Sequence, residues 1–426
     1  MLKRILRKKT FFGVLFTMAL LMAVSISYAV GTDRLEARET GWASDRIEKV
    51  ANKLNVVDII YEQNMPAEVR EISLNDALDL ALKNNPDMEL ADLSVRKAKV
   101  EYDSARKTAN RIDPDTVFSG SDPTNTPAAQ YQMGLAIWYQ PKATEVAYLL
   151  AQKYKDLSEN KLKLSVETTY YNVLKAQKNL AIKRENLKYF QDQLKIAQTG
   201  YKIGTRAKVD VTVAESAVAS YQALVVTEEN NYRSNVIDLN RLMGLDLDIT
   251  LKLTSQPSLD KISAEIDVDG TIKDALDNNV SILEYKKKSE VAKVMADVAR
   301  RFNGPGIPVY STSEIDAQTA EVSVSKQSAL LKAAIKKSYF SLVTLEQSMD
   351  WQTKEVEKAK ENARVYALKY EAGLATSLDA KKAVIDLEQA EVNLSQSIYQ
   401  YNTLKSSFKY GIFNTGSGTD ASSAAF

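Results

Sequence analysis

A ten-residue pattern of Tyr, Gly and Asp occurs twice in this chain and restricts the folds that the chain can adopt. Residues 201–210 read Tyr-Lys-Ile-Gly-Thr-Arg-Ala-Lys-Val-Asp, and residues 370–379 repeat the Tyr, the Gly and the Asp at the same places. The second copy follows the first at an offset of 169 residues, Tyr370 against Tyr201. Apolar residues recur every seven positions before and after each copy, which indicates long coiled-coil helices.

The glycine in each copy predicts a sharp turn between two antiparallel helices. Gly204 and Gly373 each follow a long apolar helical run. Glycine commonly ends a helix because it enters the left-handed region without strain. In the second copy, Thr376 and Asp379 fit a capping box that starts a return helix. Each copy is therefore predicted to be the tip of a long helical hairpin.

The repeat extends beyond the tips. The run Ala-Leu-Lys-Asn-Asn at 81–85 returns as Ala-Leu-Asp-Asn-Asn at 275–279, an offset of 194 residues. This offset is larger than that of the tips by 25, so the second unit lacks about 25 residues between its first helix and its long hairpin. The whole unit of short helix, helix, connection and long hairpin is predicted to be duplicated.

The predicted fold class is predominantly all-α, with long antiparallel helical hairpins in two tandem repeats and little or no β-structure. The first connection, about 107–143, is expected to be strand-like because it alternates Tyr131, Met133, Leu135, Ile137 and Tyr139 on one face. The predicted segments are a signal peptide (1–29), an N-terminal arm (30–70), a first helical repeat (71–244), a linker (245–269), a second helical repeat (270–412) with a short connection at about 302–325, and a disordered tail (413–426).

The N-terminus has the pattern of a secretory signal peptide. Residues 1–29 hold five basic and no acidic residues, an apolar run at 11–26 and small residues up to Ala29. Cleavage there would change the formal net charge from +1 to −4, which does not favour nucleic-acid binding. We expect an exported protein of the cell envelope, with no transmembrane helix after the signal peptide.

Composition excludes several kinds of catalysis. The chain has no Cys and no His, which removes thiolate and imidazole nucleophiles, bases and metal ligands. Its carboxylates alternate with Lys and Arg along the predicted helices, which is typical of solvated coiled-coil faces. No glycine-rich phosphate loop is present. The sequence therefore predicts no enzyme, no cofactor and no metal site.

The duplicated tip pattern resembles the TolC-like outer-membrane efflux protein family. The run Leu-Met-Gly-Leu-Asp at 242–246 is also similar to the family's link between repeats. The resemblance implies a homotrimer whose six hairpins form a coiled-coil α-barrel. It further implies a passive export conduit, the outer component of a tripartite efflux or type I secretion system. The implied partners are a periplasmic adaptor protein and an inner-membrane transporter.

The resemblance also assigns roles to the tips. In the family the tips meet the adaptor, and the tunnel narrows at the same end through rings of Asp. The adaptor-binding candidates are Tyr201, Gly204, Thr205, Arg206, Tyr370, Gly373, Leu374 and Ala375. The aperture candidates are Asp210, Asp379 and Lys382, the last standing where the family often has a second Asp. The simpler alternative is that all of these are only good turn residues.

The connections depart from the family. In the family, each repeat has a β-hairpin in this connection, and the hairpins of three chains together form one outer-membrane barrel. A membrane-crossing strand needs about 9–11 residues, so two strands do not fit the second connection. Insertion into an outer membrane is therefore uncertain. The alternative function is an exported structural or scaffolding coiled coil that keeps the fold without spanning a membrane.

Overall fold

The structure, a computed structural model, describes residues 69–118 and 126–415. The predicted signal peptide, nearly all of the N-terminal arm and most of the tail lie outside the described residues. The first repeat contains β1 (Val69–Ile72), α1 (Leu74–Asn84), α2 (Pro86–Arg111), α3 (Pro114–Phe118), α4 (Pro127–Gly134), a π-helical turn (Leu135–Tyr139), α5 (Gln140–Lys202) and α6 (Lys208–Met243).

The remaining elements form the linker and the second repeat. They are β2 (Thr250–Leu253), a 3₁₀ turn (Ser263–Glu265), α7 (Val268–Asn278), α8 (Val280–Phe302), α9 (Pro308–Glu371) and α10 (Ser377–Tyr410). The predicted fold class is confirmed, because long helices dominate both repeats and the two described strands have four residues each.

The two hairpins, α5–α6 and α9–α10, lie side by side and point the same way. At one end, Trp138 stacks on Phe302, just before α5 and at the end of α8. At the other end, Arg206 contacts Tyr370 beside the two turns. The 63 residues of α5 correspond to about 95 Å at a rise of 1.5 Å per residue. The tips and the connections therefore lie at opposite ends of a long bundle.

A compact layer, formed by β1, β2 and α1, packs against the middle of α5, and we call it the girdle. β1 and β2 pair in parallel, with Val69 opposite Thr250. The buried Tyr170 of α5 holds this pair, because its hydroxyl donates to the Ile72 carbonyl (3.2 Å) and accepts from the Ser255 N–H (2.9 Å). Burial of the surrounding Leu and Val side chains supplies the main stabilisation of this region.

The linker is fixed in a similar way on the second repeat. The Glu346 carboxylate of α9 accepts from the backbone N–H groups of Ile262 and Ser263, both at 3.0 Å. The Tyr401 hydroxyl of α10 donates to the Asp260 carbonyl at 2.6 Å. Burial alone would raise the pKa of Glu346, but its hydrogen bonds from Ser263, Tyr401 and Ile262 together lower it. The carboxylate is therefore a fixed structural acceptor.

The first connection corrects the sequence prediction. Tyr131 and Met133 lie in α4, and Leu135, Ile137 and Tyr139 lie in the π-helical turn, so the alternating residues form no strand. The reason is tertiary packing: Gly134 lies against α8 so closely that a Cβ there would be 2.6 Å from a Phe302 ring carbon. In a helix, Gly134 and the residues three or four positions away lie on one face, and this face packs against α8.

The second connection is shorter than the predicted 302–325. Residues 303–307 alone separate α8 from α9, and Pro308 begins α9 because its fixed φ and missing N–H suit a first helical turn. Where the resemblance implies β-hairpins, the described parts of both connections are therefore helix and a short loop.

The α6 helix departs from the expectation that no segment after the signal peptide is long and apolar enough to cross a membrane. Among the described residues, Lys208–Met243 is apolar and long enough to cross a membrane, by length and composition only. In the structure it packs along α5 as the return arm of the hairpin. Its exposed apolar residues include Leu224, Val226 and Ile237.

Candidate functional site: the hairpin tips and the faces between hairpins

The first tip is a tight turn built around Gly204. The Gly200 carbonyl at the end of α5 accepts the N–H groups of Thr205 (2.8 Å) and Arg206 (3.2 Å). Gly204 has φ +77°, and a Cβ there would meet no atom within 4 Å. The Asp210 carboxylate then accepts the Ala207 N–H at 3.2 Å and caps the start of α6. The surface beside Gly204 is therefore open to an approaching backbone.

The second tip has the same design with a stronger cap. Gly373 has φ +73° and open space around its Cα. The Leu374 N–H donates to the Lys369 carbonyl at 2.7 Å. Thr376 and Asp379 form the predicted capping box, since the Asp379 N–H donates to the Thr376 hydroxyl and the Asp379 carboxylate accepts the Thr376 N–H. Leu374, the most exposed large apolar side chain at this tip, points into solvent.

Arg206 joins the two tips. Its Nη2 donates to the Tyr370 carbonyl at 3.0 Å, and its guanidinium lies 4.1 Å from the centroid of the Tyr370 ring. Tyr370 is buried, and this burial raises the pKa of its hydroxyl, while Arg206 acts in the opposite direction. Tyr201, at the equivalent position of the first tip, is exposed. The repeated tyrosines therefore have different surroundings.

The aperture candidates lie beside the tips, and two of them act as helix caps. Hydrogen bonds from the Thr376 hydroxyl and N–H lower the pKa of Asp379, so this carboxyl stays ionised over the ordinary pH range. Asp210 holds the equivalent position on α6. Lys382 is exposed one turn after Asp379. The eight tip candidates lie at the two turns, with Ala375 partly buried and Thr205 donating its hydroxyl to the Gly200 carbonyl.

The hairpins meet along α5 and α10, and we call this contact the closed seam. Its polar centre near the girdle is Glu167 of α5, which is buried. The Glu167 carboxylate accepts from the hydroxyls of Ser406 and Tyr410 (2.5 Å) and from the Lys409 ammonium (2.8 Å). These contacts connect the end of α10 to the middle of α5.

A second polar cluster lies farther toward the tips. The Glu388 carboxylate of α10 accepts from Lys183, from Asn186 Nδ2 (2.6 Å) and from the Tyr221 hydroxyl (2.8 Å). Burial, and then the contact with Glu388, raises the pKa of Tyr221, so this hydroxyl remains a donor. The closed seam is thus held at two separate levels by charge-assisted hydrogen bonds, buried at Glu167 and partly buried at Glu388.

Sequence reasoning did not find the closed seam. Glu167 and Glu388 stand in the same alternation of acidic and basic residues that covers the exposed helix faces. No local signal separates them from solvated carboxylates, because their partners lie more than 160 residues away in the chain.

The fold and tips define a protein of two tandem, long antiparallel helical hairpins. Residues 141–245, which form α5, α6 and the following turn, match the family described as "Outer membrane efflux protein". The resemblance to the TolC-like outer-membrane efflux proteins is thereby confirmed.

Individual relatives agree with this assignment. The chain is 27% identical over 203 residues to "Toxin and drug export protein A" of Aggregatibacter actinomycetemcomitans, a match covering 43% of this chain. The matched part spans less than half of that relative, 44% of its length.

Solved structures support the fold over most of the chain. The outer membrane channel CmeC of Campylobacter jejuni gives a TM-score of 0.62 at 14% identity and covers 80% of this chain and 86% of its own. The outer membrane protein VceC of Vibrio cholerae gives 0.62 at 14% identity, covering 80% of this chain and 95% of its own. At these identities the likeness concerns the fold alone.

Proposed function

We propose that this chain is the passive export conduit of a tripartite efflux or type I secretion system. In this proposal three copies enclose a tunnel with six hairpins, in the cell envelope, and the tips engage a periplasmic adaptor that links the conduit to an inner-membrane transporter. The observation that carries the proposal is the different exposure of equivalent residues in the two repeats. Residues that are buried in one repeat are exposed in the other, as expected if a second copy of the chain covers them.

The outer face of α9 is the equivalent of the α5 face in the closed seam. At the offset of 169 residues, Phe340 corresponds to Tyr171 and Trp351 to Ile182. Tyr171 and Ile182 are 8% and 4% exposed, whereas Phe340 and Trp351 are 64% and 63% exposed. Two large aromatic side chains are thus left in solvent at positions that the first repeat covers. Full burial of such a side chain is worth about 1.5–3 kcal/mol.

The outer face of α6 shows the same relation to α10. Val226 corresponds to Ser395 and Ile237 to Ser406 at the same offset. Both serines are buried in the hairpin contact region, whereas Val226 and Ile237 are exposed. We call the exposed faces of α9 and α6 the open faces. At these positions the exposed face of α6 is therefore more apolar than the buried face of α10.

The open faces fit one another in a head-to-tail arrangement. If α9 of one copy packs on α6 of the next copy as α5 packs on α10, every hairpin gains a second neighbouring hairpin. Such heterologous contacts close into a ring when the rotation per copy permits it. A ring of hairpins encloses a space that two hairpins alone do not. The number of copies, three, follows from the family resemblance.

Export is supported by the relatives and by the tips. The curated relative is named for toxin and drug export. Both tips combine an open glycine with exposed apolar groups such as Ile203 and Leu374, which suits docking of another helical hairpin. Asp210, Asp379 and Lys382 would border the aperture at this end, where their charges would act on passing solutes.

A second candidate function is favoured by the connections. In the described residues the first connection is helical and the second is the short loop 303–307, where the family resemblance implies membrane-crossing strands. An exported scaffolding coiled coil that keeps the ring of hairpins without spanning an outer membrane would have this structure. The two functions differ at the tips, because only the conduit requires an adaptor there.

The test replaces the open tip glycines with a bulky residue. Gly204→Trp and Gly373→Trp should abolish dye efflux from the source organism and the copurification of its periplasmic adaptor with the tagged chain, because Trp blocks close approach. Each strained replacement should cost about 1 kcal/mol, so helicity should persist. Gly304→Trp, equally open but at the opposite end, is the matched control. Normal efflux and adaptor binding in both tip variants would support the scaffold instead.

A further inference from the structure

A small cavity lies between the two hairpins, directly behind the contact that joins their tips. All four hairpin helices line it. Its wall includes Tyr189 and Gln193 of α5, Ala214 of α6, Tyr370 of α9 and Lys381 of α10. Its volume is about 20 Å³. Because a water molecule needs about 10–15 Å³ of such space, the cavity has room for one water.

Two buried oxygens in the wall of this cavity lack a hydrogen-bond partner among the described residues. They are Tyr189 Oη and Gln193 Oε1. Their residues stand four positions apart on α5, so both side chains lie on one face of that helix. Native proteins satisfy nearly all buried polar groups with a protein group or an ordered water, because an unpaired group loses its hydration without compensation. The two oxygens therefore need a partner other than a protein group.

The two oxygens offer one donor and one acceptor. Burial raises the pKa of Tyr189, and Tyr370 and Glu371 raise it further, so the Tyr189 hydroxyl keeps its proton and can donate. Gln193 Oε1 is an amide oxygen and only accepts. A water molecule both accepts and donates, so it satisfies both atoms at once. An anion would leave Gln193 Oε1 unsatisfied, and a cation would lie in the same wall as the positive charge of Lys381.

The cavity belongs to the closed seam and lies on the tip side of the Glu388 cluster. At the two levels described above, a carboxylate joins the hairpins directly. At the offset of 169 residues, the equivalents of the two cavity oxygens on α9 belong to Lys358 and Asn362, and both residues are exposed. The polar pair is therefore enclosed in the first repeat, where the hairpins meet, and solvated in the second.

We propose that this cavity is a hydration site, in which one ordered water accepts a hydrogen bond from the Tyr189 hydroxyl and donates one to Gln193 Oε1. The water completes the closed seam at a third level, where the hairpins meet around a solvent molecule instead of a carboxylate. Its displacement leaves two buried oxygens unsatisfied in a wall that includes Tyr370, the residue that Arg206 contacts at the tips. This inference concerns a single chain and does not depend on the proposed conduit or its partners.

The first test compares thermal unfolding midpoints of the purified mature chain and its variants. Tyr189→Phe and Gln193→Leu should each lower the midpoint by about 2 °C, because each removes one of the two partners of the water. Asn362→Leu, at the exposed equivalent of Gln193, is the matched control and should shift the midpoint by less than about 1 °C. A midpoint raised by Tyr189→Phe would overturn the proposal, because removal of an unsatisfied oxygen from a dry cavity stabilises the protein.

The second test fills the cavity. Ala214→Val places two methyl groups in its wall and should displace the water. In the wild type this change should lower the midpoint by at least about 2 °C more than it does in the double variant Tyr189→Phe/Gln193→Leu, where no buried oxygen is left unsatisfied. Strain from the added methyl groups is common to both backgrounds and cancels in the comparison. Equal shifts in the two backgrounds would contradict a water at this site.

A crystal structure at a resolution that shows ordered solvent gives the direct readout. It should show one water within about 2.5–3.2 Å of both Tyr189 Oη and Gln193 Oε1 in the wild type, and none at this place in Ala214→Val. A Gln193 amide that bonds the Tyr189 hydroxyl directly, with no water beside it, would refute the hydration site.

Discussion

The closed seam and the open faces occupy equivalent positions of a duplicated unit, yet several of these positions are polar in the closed seam and apolar on the open faces. The closed seam places Glu167, Ser406 and Glu388 in its interior, with charged partners. The open faces place Phe340 and Trp351 on α9 and Val226 and Ile237 on α6. A contact within one chain forms on folding and tolerates polar groups that are fully hydrogen-bonded. A contact between chains must also offset the entropy of association, and apolar area supplies that free energy.

The largest expected effect comes from breaking the open faces. Phe340→Asp combined with Trp351→Asp should convert the assembled protein into monomers, since each lost aromatic contact is worth about 1.5–3 kcal/mol and a charge is placed in the contact. Sedimentation velocity measures the mass, and circular dichroism should show unchanged helicity because both residues are exposed within one chain.

The matched control for this variant is Ile196→Asp. Ile196 is an exposed apolar residue of α5, outside both open faces, and its replacement should leave the assembly intact. A double variant that still sediments as wild type would show that the exposed aromatic residues of α9 contact no second copy.

A smaller effect is expected from breaking the closed seam. Glu167→Ala leaves the buried hydroxyl of Ser406 and the partly buried hydroxyl of Tyr410 without their carboxylate acceptor. The free energy of unfolding should fall by about 2–3 kcal/mol, the cost of losing charge-assisted bonds in a buried site. Urea denaturation followed at 222 nm measures it. Lys336→Ala, at the equivalent exposed position of α9, should change the stability of the monomer by less than about 0.5 kcal/mol.

The smallest effect concerns one half-buried carboxyl of the closed seam. Burial is the main cause that raises the pKa of Glu391. The charges of Lys178 and Lys360 lower this pKa, whereas those of Glu185 and Glu388 raise it further. The unfolded chain releases this proton first, near the ordinary value of 4.5, so the contribution of Glu391 to stability is greatest at low pH and falls as pH rises through the raised pKa.

Glu391→Gln should therefore stabilise the protein slightly at neutral pH, by less than about 1 kcal/mol after solvent screening. The gain should disappear at pH 4, where the wild-type carboxyl is protonated in the folded state. Denaturation midpoints of both proteins at pH 4 and pH 7 test this. A variant that is less stable than the wild type at pH 7 would contradict the cause given for the shift.

The hairpins and their tips could be predicted because their signals are periodic and local. Heptad spacing specifies a long helix, and the glycine with its capping residues specifies the turn. The first connection was mispredicted because its alternation of apolar and polar residues fits a strand or one face of a short helix equally well. Contact with Phe302, about 170 residues away in the chain, decides between them, and a local pattern contains no such information.

The sequence could not predict which face lies in the closed seam and which is an open face, for a related reason. Tyr171 and Phe340 are both aromatic, occupy the same place in the repeat and carry no mark of which one is covered. In the proposed ring the difference arises from chain connectivity, because α10 follows α9 and folds back on α5 of the same chain, whereas the α6 that would cover α9 belongs to another molecule. The resemblance to the family implies a trimer but does not identify the helix faces that would form it.

The most direct test of the ring uses the absence of cysteine from this chain. Glu167 and Ser406 touch within one chain, and Lys336 and Ile237 are their equivalents on the open faces. With a short bifunctional thiol reagent, Glu167→Cys/Ser406→Cys should cross-link inside a single chain, whereas Lys336→Cys/Ile237→Cys should link one chain to the next. On a denaturing gel the second variant should give a covalent trimer as the largest product. Products that remain monomeric, or that continue beyond three chains, would contradict the closed ring.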